Sequence, residues 1–168
     1  MKLSPPAKLA LALIAVAAGL AGCATTGPGA AAPGMTMDEA QHAYGPPTGT
    51  YHFRDGGTRF EYATTPLGRV TYMLDFDAAG RLVRSRQVLT EADFAEIKPG
   101  MSKEDVRLRL GPPTEYLRIP RQHLVVWNWR YAGADCTWFQ ASIGDDDGKV
   151  SQASLSPDPI CDHGPDRE

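Results

Sequence analysis

The sequence predicts an α+β fold of two tandem units, each made of one or two short helices followed by a three- to four-stranded antiparallel sheet. Three observations predict it. The phrase GMTMDEAQHAYGPPT, from Gly34, returns as GMSKEDVRLRLGPPT from Gly100, 66 positions later. Each copy is followed by runs in which apolar and polar residues alternate, the period of a half-buried strand. Each set of runs contains an acidic turn tetrad, Asp77-Ala78-Ala79-Gly80 in the first and Asp145-Asp146-Asp147-Gly148 in the second. A recurrence of this length is the signature of a duplicated supersecondary unit.

The chain has 168 residues and a formal charge of −3. It begins with two lysines, Lys2 and Lys8, then an apolar run from Leu9 to Leu20, then Leu20-Ala21-Gly22-Cys23. A basic start, a short apolar stretch and small residues before a cut site make a secretory signal peptide over residues 1–22. The run is shorter than the roughly 20 residues a membrane span needs. Leu-Ala-Gly-Cys resembles the lipobox of bacterial lipoproteins. That resemblance implies cleavage before Cys23, a diacylglycerol on its sulfur and a third acyl chain on its amine. The residue after Cys23 is Ala24 and not Asp, which by the sorting rule of such lipoproteins implies the outer membrane. Without Lys2 and Lys8, 15 basic side chains face 20 acidic ones. This acidic balance excludes the basic footprint of a nucleic-acid binder.

Residues 23–33 carry Gly, Pro and small side chains without periodicity, and are expected to be a flexible tether. The first unit is expected over 34–89, the second over 90–156, and an irregular tail over 157–168. In each repeated phrase a hydroxyl residue, Thr36 or Ser102, precedes an acid, Glu39 or Asp105, by three positions. This is the spacing of a capping box, in which the hydroxyl accepts from an orphan backbone N–H and the acid reaches back. Ala40 with Tyr44, and Val106 with Leu110, are spaced i, i+4 and place one apolar stripe on a two-turn helix. Gly45 and Gly111 then supply a left-handed stop, and the following Pro-Pro pairs forbid continuation.

After the first helix, Tyr51, Phe53, Phe60 and Tyr62 lie on runs joined by the turn Asp55-Gly56-Gly57. RVTYMLDF and RLVRSRQVL flank the first acidic tetrad. Thr90 and Asp93 form a weaker capping pair that predicts a helix over about Glu91–Glu96. The first unit lacks a counterpart to this leading helix. In the second unit, HLVVWNWRY places Leu124 and Val126 on one face and Val125, Trp127, Trp129 and Tyr131 on the other. CTWFQASIG and KVSQASLS flank the second tetrad. Export leaves Cys136 and Cys161 as an even pair in an oxidising compartment, which reads as a disulfide. Two free thiols or a metal site are the alternatives, although His163 beside Cys161 gives no zinc spacing.

No catalytic signature is present. The four histidines show no H-x-x-x-H or H-E-x-x-H spacing, and there is no nucleophile elbow or phosphate loop. The Asp145–Asp147 run lacks the alternating ligands of a calcium loop and reads as a solvated turn. No cofactor and no metal are expected, and the protein is not expected to be an enzyme. Tyr51, Phe53, Tyr62, Trp127 and Trp129 are candidate binding-surface residues, because aromatics concentrate at interface hot spots. Same-face strand aromatics are also the usual material of a core, and both readings stand at this point.

The Gly-Met-[Ser/Thr] phrase ending in Leu-Gly-Pro-Pro, with the strand Val126-Trp127-Asn128-Trp129-Arg130-Tyr131 and an Asp-Gly hairpin, resembles the SmpA/OmlA group, the BamE-like domain of outer-membrane lipoproteins. The match is close over Ile97 to Val150 and looser over Gly34 to Val83, where Tyr44 replaces the Leu. The tandem arrangement resembles that of the β-lactamase inhibitor protein, while the barrel-assembly subunit of the group carries one unit. The resemblance implies a lipid-anchored, periplasm-facing protein that binds a periplasmic or outer-membrane protein, in support of barrel assembly or envelope integrity. The alternatives are an inhibitor or sensor gripping a periplasmic hydrolase with a concave sheet, and a structural lipoprotein touching lipid or peptidoglycan.

Overall fold

A computed structural model describes residues 27–133 and 135–161. The signal segment, Cys23 and the last seven residues lie outside the described residues. The protein is α+β, with two tandem units that each carry a four-stranded antiparallel sheet.

In the first unit, α1 (Met37–Tyr44) precedes β1 (Gly49–His52), β2 (Thr58–Ala63), β3 (Thr71–Phe76) and β4 (Leu82–Gln87). A short α2 (Glu91–Phe94) leads to α3 (Lys103–Leu110), followed by β5 (Glu115–Ile119), β6 (Leu124–Arg130), β7 (Thr137–Gly144) and β8 (Val150–Pro157). Both sheets are meanders, ordered β1-β2-β3-β4 and β5-β6-β7-β8. Even the irregularities repeat: each sheet is bulged between its last two strands, at Asp75/Phe76 and at Ser142/Ile143.

The repeated phrase folds as its spacing predicts. Thr36 Oγ1 accepts from the Glu39 amide at 3.2 Å, and the Thr36 amide donates to Glu39 Oε2 at 2.7 Å. That bond to the Thr36 amide is the main reason the Glu39 carboxyl lies below its usual range. In α3, Ser102 Oγ accepts from the Asp105 amide at 3.1 Å, but the shorter Asp side chain takes a hydrogen bond from the Ser102 hydroxyl, at 2.6 Å. Each phrase is also sewn to the last strand of its own sheet. Gly34 N–H donates to Leu82 O and Leu82 N–H to Met35 O; Gly100 N–H donates to Val150 O and Val150 N–H to Met101 O. The Gly-Met at the head of the phrase is therefore a strand clip as well as a prelude to a helix.

The layers alternate. Ala40 of α1 packs on Phe60, Tyr62, Leu74, Phe76 and Leu82, the front face of the first sheet. Met73 points from the back face of that sheet into a second core with Val106 and Leu110 of α3 and Trp129, Phe139, Ala141 and Ile143 of the second sheet. α3 thus lies between the two sheets and serves both. Val88 and Leu89, at the end of the first unit, join this second core.

Four expectations need correction. The segment expected as a loose tether is, from Gly27 onward, seated on the first sheet: the Ser85 hydroxyl donates to Pro28 O at 2.6 Å, and Ala31 packs against the first core. The first unit does not lack a leading turn, because a 3-10 turn at Pro28–Ala30 precedes its repeated phrase. The second sheet gains β5, which the sequence reading of that unit omits. The tail also begins with structure: Cys136 and Cys161 are disulfide-bonded with Cα atoms 6.3 Å apart, and a 3-10 turn spans Pro159–Cys161.

Candidate binding surfaces

The five aromatic candidates divide between the two cores and the seam between units. Trp129 is fully buried and Tyr62 is 7% exposed, so neither forms a surface. The reason is register. Tyr62 stands on the front face of β2 under α1, and Trp129 faces α3 across the second core. Both also hold a helix end. Tyr62 OH donates to Gly45 O at 3.2 Å, and Trp129 Nε1 donates to Gly111 O at 3.3 Å. The aromatic inhibitor face spanning both units is therefore not formed by these side chains. Trp127 is partly buried at the rim of the second core, edge-on to Tyr116 with ring centroids 5.5 Å apart.

Tyr51 and Phe53 lie at the seam between units. Glu61, fully buried on β2, accepts from Tyr51 OH at 2.8 Å, from Thr48 Oγ1 at 3.0 Å and from both terminal nitrogens of the Arg107 guanidinium. Burial, and then the bond to Glu61, push the Tyr51 hydroxyl up to about 12. Burial acts to lower the Arg107 pKa, but the hydrogen bond and charge of Glu61 outweigh it and hold the guanidinium above its usual range. Beside them Arg59 lies over the Phe53 ring, makes a fork to Asp75 at 2.5 and 3.0 Å, and donates to Leu108 O at 3.0 Å. These charges are paired with one another, so the seam is a structural lock.

The Cys136–Cys161 bridge closes the end of the second sheet. Asp158, just before the turn that carries Cys161, is 3% exposed and makes a fork to Arg130 at 2.5 and 3.0 Å. Burial acts to raise the Asp158 carboxyl, but the hydrogen bonds from Arg130 and the Ile160 amide outweigh it and lower it. Arg130 in turn covers the Trp138 ring at 5.3 Å.

Among the described residues, hollows lie beside Tyr62 and Tyr44 and beside Trp127. Two further exposed surfaces contain none of the five aromatic candidates from the sequence. The first is a cleft of about 360 Å³ between α2 and the β7–β8 hairpin. Phe94 and Phe139, stacked at 4.4 Å, form its floor with Ile97 and Ala153, and Leu155, 44% exposed, stands on its wall. Glu91 and Lys98 set opposite charges on its rim. The cleft exists because α2 is a single turn and cannot cover the whole front face of β7 and β8. The second is the outer edge of β5, where Tyr116 is 60% and Leu117 53% exposed. Repeat alignment reveals β5, since β1 follows the first Gly-Pro-Pro-Thr just as β5 follows the second.

Among the described residues, no group of His, Cys, Asp or Glu is arranged to hold a metal ion. No described helix is long and apolar enough to cross a membrane.

No protein-family model and no curated protein sequence matches the chain. Among solved structures, the chain is similar to a DUF4309-family protein of Bacillus subtilis, with 15% identity, coverage of 73% of this chain and 78% of that one, and a TM-score of 0.28. It is also similar to a cysteine-rich secretory protein of Staphylococcus aureus, with 11% identity and a TM-score of 0.29, over 76% of this chain and 45% of that chain. An extracellular protein of Bacillus anthracis containing an SCP domain gives 10% identity and a TM-score of 0.28, over 76% of this chain and 44% of that one. The chain thus spans less than half the length of the latter two.

Proposed function

We propose that this chain is a non-enzymatic, lipid-anchored protein of the bacterial outer membrane that faces the periplasm and binds a protein partner there. Its two units are read as BamE-like, and the partner as a component of barrel assembly or envelope maintenance. The lipobox at Cys23 and the repeated Gly-Met-[Ser/Thr]…Gly-Pro-Pro phrase support the address and the family. The α2–β8 cleft carries the binding reading. A hollow with an aromatic floor and a polar, charged rim suits a single anchoring side chain of a partner, and such buried anchors dominate interface energetics.

Affinity purification of the intact lipoprotein from detergent-treated membranes tests this. An envelope protein is expected to accompany the wild type and to be depleted when Leu155→Asp charges the cleft wall. Cys23→Ser is expected to abolish lipidation and reduce recovery of the same partner. Equal recovery with wild type and Leu155→Asp removes the cleft from the reading.

A further inference from the structure

We propose that β5 is a self-pairing edge through which two copies of this chain join, antiparallel, about a two-fold axis at Leu117. β5 is the outermost strand of its sheet, bonded on one side to β6. Four of its five residues are exposed and Ile119 is half-buried. Among the described residues, its outer edge makes no backbone hydrogen bond. Long or apolar edges of this kind invite another strand unless they are blunted by Pro, Lys or a covering segment. The last strand of each sheet has such a cover, since Gly34 and Met35 bond Leu82 of β4, and Gly100 and Met101 bond Val150 of β8. Within residues 115–119, β5 has no Pro, Lys or covering segment, and its edge charges are Glu115 and Arg118, one of each sign.

The bonding pattern fixes which groups are free. Asp145 N–H donates to His123 O, so odd-numbered residues of β6 point their backbone groups toward β7. Even-numbered residues of β6 therefore serve β5, opposite Glu115, Leu117 and Ile119. Backbone direction alternates along a strand, which leaves the N–H and C=O of Tyr116 and Arg118 facing outward.

An antiparallel copy centred on Leu117 satisfies all of these groups. Tyr116 falls opposite Arg118 of the second copy, and the two such pairs exchange four backbone hydrogen bonds. The side chains match as well. Tyr116 is 60% exposed and the Arg118 side chain 70%; Arg118 is held by Asp145 at 3.0 Å, and a guanidinium that also covers a tyrosine ring is attracted to it. Leu117 meets Leu117 of the second copy on the other face, beside Val126 of each. A register shifted to centre on Arg118 sets like charges opposite each other, which is unfavourable. The Leu117-centred register avoids this clash and gives an eight-stranded sheet across two copies. Strand pairing alone buries less than the roughly 1,000 Å² of a stable dimer. Tethering on one membrane supplies the missing effective concentration.

Cysteine cross-linking reads this directly. In the centre pair the Cα atoms stand about 4.5 Å apart, within reach of a disulfide. In full-length protein carrying Cys23→Ser, at high concentration under mild oxidant, Leu117→Cys is expected to form a covalent dimer severalfold above Leu67→Cys, a control on a 97% exposed residue. The same contrast is expected in membranes with Cys23 intact. A mixture of Tyr116→Cys and Arg118→Cys chains is expected to cross-link more than either alone. Equal dimer from Leu117→Cys and Leu67→Cys in both settings overturns the pairing, and preferential Tyr116–Tyr116 cross-linking overturns the register. The α2–β8 cleft takes no part, so either outcome leaves the partner-binding reading where it stands.

Discussion

Arg107, on the helix that opens the second unit, forms an ion pair with Glu61, fully buried in the sheet of the first. The pair joins residues 46 positions apart and turns a tandem duplication into one layered body. A carboxylate out of water needs its charge and lone pairs met. Thr48 and Tyr51 of its own unit meet some of them, and Arg107 of the next unit completes the set.

Removing one partner of such a pair leaves the other stranded. Arg107→Met is expected to destabilise the protein by roughly 3 kcal/mol, the low end for a broken buried pair, because Arg107 itself keeps some solvent contact. Glu61→Gln should cost less, since its amide oxygen keeps one of the two acceptor positions used by Thr48 and Tyr51 and no buried carboxylate is left unpaired. Denaturant unfolding of both variants and of the double variant gives the coupling. A coupling energy near zero rules out the lock.

The same cluster sets a pH dependence. Tyr51 titrates near 10.0 when unperturbed and is pushed up to about 12 in the fold. Its folded-state pKa is raised, so above pH 10 the unfolded chain loses the proton first. The stability contribution is fully present below pH 10 and is lost as pH rises through about 12. Between these values, Tyr51→Phe is expected to lose stability with pH less steeply than wild type, as measured by thermal unfolding.

The two helix stops separate backbone strain from packing. Gly45 (φ 81°, ψ −176°) and Gly111 (φ 78°, ψ −169°) share a conformation that is essentially confined to glycine. A Cβ on Gly45 meets nothing within 4 Å, whereas one on Gly111 falls 2.8 Å from Thr71 Cγ2 in the first sheet. Gly45→Ala is expected to cost about 1–3 kcal/mol from strain alone. Gly111→Ala should cost clearly more, because it also wedges the two units apart. Equal losses in thermal or urea unfolding contradict the close packing of α3 on the first sheet.

Local signals explain which parts of the fold were legible. Thr36, Ser102, Gly45 and Gly111 mark helix ends through bonds within a few residues, and their spacing shows in the sequence. The hairpin tetrads are equally local. β5 was obscured because Glu115-Tyr116-Leu117-Arg118-Ile119 alternates poorly and faces solvent on both sides, leaving no buried stripe to read. The Glu61–Arg107 seam depends on how one unit stacks on the next, which no period in either unit encodes. Trp127 and Trp129 were correctly placed on one face, but only the position of α3 decides that this face is core. The α2–β8 cleft is a gap left by a short helix, and a gap has no residue signature.

Site-specific photo-cross-linking at position 155, in the lipidated protein in intact cells, tests the central claim of partner binding most directly. A benzoylphenylalanine there is predicted to give a discrete adduct with another envelope protein, absent when the probe replaces Leu67, which is 97% exposed and does not line the cleft. Adducts that are identical from both positions, or absent from position 155, would contradict it.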